Sequence, residues 1–241
     1  MSQTLITQEL GIIIAAKNHK PTILNPDFLK YSGIVPTEWE LARQPIYSQS
    51  VSQVAFTNGV AIIAEPTRVM FIEAIEAKAV TEISIPEIAR KYAQTLPNVE
   101  YEAVGINPRS YINFEHQQDA SKYISETLLC PGAWQEVGQS KVRASLNLAY
   151  TLERSPFYLT INEAAIRQSD ETTTPIVIFN GSFSYELTGE NTSERLNNLH
   201  QVIDNWQLDL EIYQEIINSK FLTKKSESLL TLPVFAMNTI A

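Results

Sequence analysis

Cysteine is nearly absent from this chain of 241 residues: Cys130 stands alone. That excludes an internal disulfide and any cysteine-rich metal site. Glycine is scarce, at 8 residues, and no glycine cluster brings backbone amides to a phosphate in the manner of a P-loop or a dinucleotide fingerprint. No cofactor is expected. The three histidines, His19, His116 and His200, lie far apart and outside any HExxH spacing, so no metal site is expected either. No GxSxG elbow offers a nucleophilic serine, and Cys130, between Leu129 and Pro131, reads as a small apolar residue. No apolar run is as long as a membrane span. The segment Met1 to Glu9 lacks the basic start and apolar stretch of a secretion signal, so the expected setting is cytoplasmic. Basic residues are outnumbered, 18 to 27, for a net charge of -9. This disfavours direct binding to a nucleic-acid backbone; an indirect role would need a basic stripe gathered from separated residues such as Arg68, Lys141, Arg143 and Arg154.

What the chain does have is apolar material, 44% of its residues, and a strong periodic pattern. Leu196, Leu199, Ile203, Trp206, Leu210, Tyr213 and Ile217 recur at alternating spacings of three and four, which predicts one long amphipathic helix over Ser193 to Phe221. The seven positions fit heptad a and d, but the flanks include apolar Val202 and Ile216 where a coiled coil wants charge. The widened stripe therefore predicts a helix laid on a sheet of its own chain, with Leu208 and Ile212 off the stripe.

Ahead of that helix, Leu10 to Ala16 reads as a buried strand. Pro21, Pro26, Pro36 and Pro45 punctuate an arm from Lys17 to Gln49. Asn58-Gly59 is a strong hairpin signal, and with Glu65-Pro66-Thr67 it links Gln53 to Phe56, Val60 to Ala64 and Arg68 to Ile75 as a three-stranded meander. Ser84, Pro86 and Glu87 form a capping-box start for a helix from Pro86 to Thr95. Val99 to Ile106 is a strand that Asn107-Pro108 turns, and Asp119 starts a helix to about Leu129. Lys141 to Leu152, Phe157 to Arg167 and Ile176 to Leu187 complete the strands, the last with a bend at Gly181. The fold class is α+β: antiparallel sheets packed against helices, with one long C-terminal amphipathic helix. Residues 1–132 form an N-terminal α+β half with the proline-rich arm. Residues 133–241 form an antiparallel sheet with the long helix and an apolar tail, unless the two halves are one continuous domain. The halves share the order of their elements, but without a register of identical residues chance similarity is preferred to duplication.

Asp27-Phe28-Leu29, Gly33-Ile34-Val35-Pro36, Trp39 and the hairpin Asn58-Gly59-Val60 give the chain a likeness in its first half. In these segments it resembles uncharacterised proteins of cyanobacterial type, and more loosely other sporadic prokaryotic α+β proteins. The resemblance implies the fold class and transfers no catalytic residue.

With no catalytic motif, an acidic balance and an apolar tail, the expected function is a non-catalytic protein-binding or assembly role. The partner is another protein or a second copy, with Leu229, Leu230, Val234 and Phe235 as candidate contacts. The alternative is a small-ligand domain or enzyme at Arg109, Asn113 and His116, where an arginine fork could clamp a carboxylate or phosphate. Glu65, Glu73 and Glu76 read as an acidic, solvated edge, and His19 as a loop end.

Overall fold

The computed structural model describes residues 3–167 and 172–223. Its centre is a nine-stranded sheet in the order β2-β3-β4-β5-β1-β6-β9-β8-β7, with every neighbouring pair antiparallel. The strands are β1 (Ile6–Lys17), β2 (Ile46–Tyr47), β3 (Ser52–Ala55), β4 (Val60–Glu65), β5 (Arg68–Ala74), β6 (Glu100–Asn113), β7 (Leu146–Thr151), β8 (Pro156–Arg167) and β9 (Thr173–Glu186). Alternation explains them: Leu10, Ile12 and Ile14 on β1, Val69 and Phe71 on β5, and Phe157, Leu159 and Ile161 on β8 all point into one buried cluster. The helices α1 (Pro26–Tyr31), α2 (Ile85–Thr95), α3 (Gln117–Lys122), α4 (Thr192–Asp204) and α5 (Trp206–Ile216) contribute their buried side chains to that same cluster.

The expected α+β class with an antiparallel sheet is present; the single long C-terminal helix is not. Asn205, with φ −93° and ψ 10°, divides it into α4 and α5, and a π-helical segment, Ile217–Leu222, follows. Asparagine competes for backbone partners: the Asn205 amide donates to the Gln201 carbonyl at 2.7 Å, and its N–H closes a short turn to Val202. Apolar periodicity does not register such a break, because the stripe passes through it. Leu199, Ile203, Trp206, Leu210, Tyr213 and Ile217 are all buried within the one chain. Gly181, expected to bend its strand, sits inside β9 where a Cβ would stand 2.7 Å from the Tyr213 ring; it lets α5 approach the sheet.

Asn107-Pro108 also departs from the expected turn. The strand does not turn there but continues to Asn113. Against β9, Ile106 pairs with Phe183 and the next pair is Arg109 with Asn180, in unchanged register. The ladder thus spans Asn107 and Pro108 without pairs, and the N–H that proline lacks is not missed. The capping box expected of α2 does not form. The Ser84 side chain makes no cap bond. Instead Glu73 of β5 reaches across: its Oε2 accepts from Ser84 N at 2.7 Å and from Ile85 N at 2.9 Å.

Outward from the central β1–β6 pair, one side of the sheet runs β5, β4, β3 and the two-residue edge strand β2, and the other β9, β8, β7. Each side is wired alike. A central strand leads through an excursion with short helical segments into a three-stranded meander, whose last strand returns beside the central one and leads into a helix, α2 or α4. This correspondence is fuller than the residue patterns alone display.

Candidate protein interface

Residues that alternate with the core positions form the opposite face of the sheet. On β4, β5 and β1 they are Ala61, Ile63, Met70, Ile72, Gly11, Ile13 and Ala15. Ile63, Met70, Ile72 and Ile13 are half-buried, and none belongs to the core cluster or packs against it. They form ordered rows: Ile63 pairs with Met70 and Met70 with Ile13. One step along, Ala61 pairs with Ile72 and Ile72 with Gly11. A Cβ on Gly11 would meet Asn107 atoms no nearer than 3.4 Å, which is ordinary contact. Packing within the chain therefore does not require glycine there, although a glycine in a strand suits close approach from outside.

Over β6, β9, β8 and β7 the same face is polar. Asn107 donates to Ser182 Oγ at 3.2 Å, Arg109 Nε to Asn180 Oδ1 at 2.8 Å, and Thr160 to Asn147 Oδ1 at 3.0 Å. Such cross-strand bonds hold the side chains to the sheet. One face therefore carries an apolar field beside a hydrogen-bonded polar one.

Of the residues singled out from sequence, Arg109 lies on the polar field, 3.6 Å from the Glu9 carboxylate. Asn113 is exposed on the same strand, four residues and so about 13 Å further on. His116 is exposed at the start of α3 and its side chain caps nothing. The structure pairs Arg109 with Glu9 and Asn180 and does not draw the three together. Leu229, Leu230, Val234 and Phe235 lie outside the described residues. Cys130 is exposed with a free thiol, not buried as its apolar neighbours imply.

Three buried polar groups escape periodicity because each depends on a distant partner. The Glu73 side chain is fully buried, with Lys78 Nζ on Oε1 at 2.7 Å and the Ser84 hydroxyl on Oε2 at 3.1 Å beside the two backbone donors. The solvated edge expected of it is thereby corrected; only a lysine five residues on hints at the pairing. Asp209 of α5 is also buried. Its Oδ1 accepts from Arg154 and from the Tyr185 hydroxyl, each at 2.8 Å, while Oδ2 and the nearby Ser155 Oγ find no partner among the described residues. Loss of hydration raises the Asp209 pKa above the usual carboxylate value, against the pull of Tyr185 and Arg154. Burial likewise pushes Tyr185 up to about 12.

His19 lies in the loop that follows β1, as its sequence position suggests, but is buried there. Its Nδ1 lies 3.1 Å from the Glu65 carbonyl and its Nε2 2.7 Å from the Tyr92 hydroxyl. A carbonyl only accepts, so Nδ1 carries the proton and Nε2 accepts from Tyr92. Burial lowers the His19 pKa and favours this neutral ring.

Two cavities lie elsewhere on the described residues. One, of about 340 Å³, is lined by Lys122, Lys141 and Arg143 with Glu126 and several amides. The other, of about 380 Å³, lies between the start of β6 and the start of α4. Neither includes Arg109, Asn113 or His116. Among the described residues no three metal-ligating side chains cluster, and no helix is long and apolar enough to cross a membrane. No family model matches the chain, and neither does any curated protein.

Proposed function

We propose that this chain is a non-catalytic protein-binding or assembly protein of the cytoplasm, and that it engages its partner through the apolar field of the sheet. One observation carries this reading: Ile13, Ile63, Met70 and Ile72 stand together on the face that the core cluster does not use. Contiguous apolar surface outside a core marks contact sites in folded proteins. Toward β8 and β7 the polar field, its side chains tied to one another, supports a boundary to the contact area. The net charge of -9 favours a protein partner over nucleic acid.

The reading is tested by placing a photocrosslinking amino acid at Met70 in one protein and at Tyr158, on the polar field, in another. Expressed in cells, the first gives protein adducts on irradiation and the second gives few. Equal yields from the two positions overturn the assignment of the contact area.

A further inference from the structure

We infer that the occupant of the apolar field is a second copy of this chain, stacked sheet on sheet about a two-fold axis that runs across the strands. This deepens the protein-binding reading and rests on it. The row Ile63, Met70, Ile13 is uniformly large, whereas the next row holds Ala61, Ile72 and Gly11. An axis in the plane between two stacked sheets, perpendicular to the strands and midway between these rows, lays each row on the other. Ile63 then sits over the partner's Ala61, Ile13 over the partner's Gly11, and Met70 against the partner's Ile72. Two of the three contacts set a large side chain into the space left by a small one, as close packing of stacked sheets requires. Gly11, which lies buried low between the taller side chains around it and which nothing within the chain demands, is accounted for by the partner's Ile13.

Charge follows the same symmetry. Flanking the apolar rows, Arg68 lies on one side, in register with Ala15, and Glu9 on the other, in register with Ala74. Glu186 is in register with Ala103, and Arg109 with Asn180. The axis exchanges the two flanks. Arg68 comes beside the partner's Glu9, and Glu186 beside the partner's Arg109, each one strand removed and within reach across the ~10 Å between stacked sheets. An axis parallel to the strands and over β5 would instead lay each row on itself, Ile63 on the partner's Ile13 and Met70 on the partner's Met70, large on large, with Ala61 on the partner's Gly11. The contact spans about five strands by four rows, roughly 20 Å by 20 Å. That is about half the ~800 Å² per partner of a standard interface, so the dimer is concentration-dependent in the micromolar range.

Sedimentation equilibrium of the full chain tests this directly, with circular dichroism confirming the fold of each variant. The wild type passes from 27.1 kDa to twice that mass across micromolar concentrations. Gly11→Leu fills the recess and weakens dimerisation by about tenfold or more. Adding Ile13→Ala to it inverts large and small and restores the dimer. Should Gly11→Leu misfold, Arg68→Glu, at an exposed site, weakens the dimer without touching the apolar rows. A wild type that stays monomeric, or an Arg68→Glu or folded Gly11→Leu variant that dimerises as the wild type does, overturns the inference. So does failure of the double variant to recover. The adduct from position 70 separates this inference from the reading beneath it. A homodimer adduct supports both, and an adduct to a different polypeptide overturns the second copy but leaves protein binding standing. No adduct, or a crosslink within the chain to residues 224–241, overturns both.

Discussion

The two halves of the sheet share their wiring but not their chemistry. Each buries a carboxylate against its last helices, Glu73 under α2 and Asp209 on α5, and the two are treated oppositely. Glu73 has a lysine on one oxygen and three donors on the other. Asp209 has two donors on Oδ1 and none on Oδ2 among the described residues. Glu73 thereby does the work of a helix cap from a neighbouring strand, satisfying the first amides of α2 with an anion at the positive end of its dipole. Asp209 draws the β7–β8 turn and the end of β9 onto α5 while remaining incompletely compensated. Equivalent connectivity leaves each half free to place charge where its own side chains can meet it.

That contrast predicts unequal costs. Glu73→Ala removes the cap of α2 and leaves Lys78 only the Asn58 carbonyl, so it lowers unfolding stability by about 3 kcal/mol or more in chemical denaturation. Asp209→Asn retains an acceptor for Tyr185 and relieves an anion that burial disfavours. It costs about 1 kcal/mol or less, although the bond from Arg154 loses its charge assistance. Equal losses for the two variants would break the comparison.

A pH series sharpens it further. In the first half His19 is held neutral between Glu65 and Tyr92. In the second, His200 of α4 is lowered by burial and by Arg90 of α2, against the raising influence of Asp204. Both folded pKa values lie below the ordinary 6.5, so the unfolded chain takes up protons first as the solution is acidified. Their stabilising contribution is complete well above pH 6.5 and is lost as pH falls through the unfolded value toward the folded ones. Asp209 acts in the other sense: its raised pKa means that its ionisation weakens the fold as pH rises above the ordinary carboxylate range. Between pH 7.5 and 5.5 the histidines govern, and Tm falls on acidification. In His19→Gln, Tm at neutral pH is lower, but its slope against pH is shallower; an unchanged slope would remove His19 from this account.

Much of the fold could be read from local pattern. The meander around Asn58-Gly59 follows from the turn chemistry, with Gly59 at φ 87°, and the burial of Leu199, Ile203 and Trp206 follows from their spacing. Failures came where a distant partner overrode a local preference. Asn107-Pro108 reads as a turn, yet β1 on one side and β9 on the other hold the chain extended through it. Ser84 and Glu87 read as a capping box, yet a strand carboxylate 11 residues upstream of Ser84 takes the amides. The site was less legible still. The apolar field alternates with core residues of the same strands, and uniformly apolar stretches such as Ile12-Ile13-Ile14 and Ala61-Ile62-Ile63 look buried on both faces. Only the registers of β4, β5 and β1 show which members stand outside the core.

The smallest expected effect follows from that last point. Met70 and Ile62 are both large and apolar, but Ile62 is fully buried in the core cluster while Met70 lies outside it. Ile62→Ala deletes packed atoms and leaves a cavity, costing about 2–5 kcal/mol. Met70→Ser removes contacts only with half-buried neighbours on the sheet surface, so the monomer changes stability by about 0.5 kcal/mol or less. Denaturation at a concentration too low for association reads this value without the interface. Repeating it at high concentration adds the binding contribution to the wild type but not to Met70→Ser, so the gap between the two proteins widens with concentration. A Met70→Ser chain as damaged as Ile62→Ala at low concentration would mean that the face is packed from within, and the apolar field would then have no partner to receive.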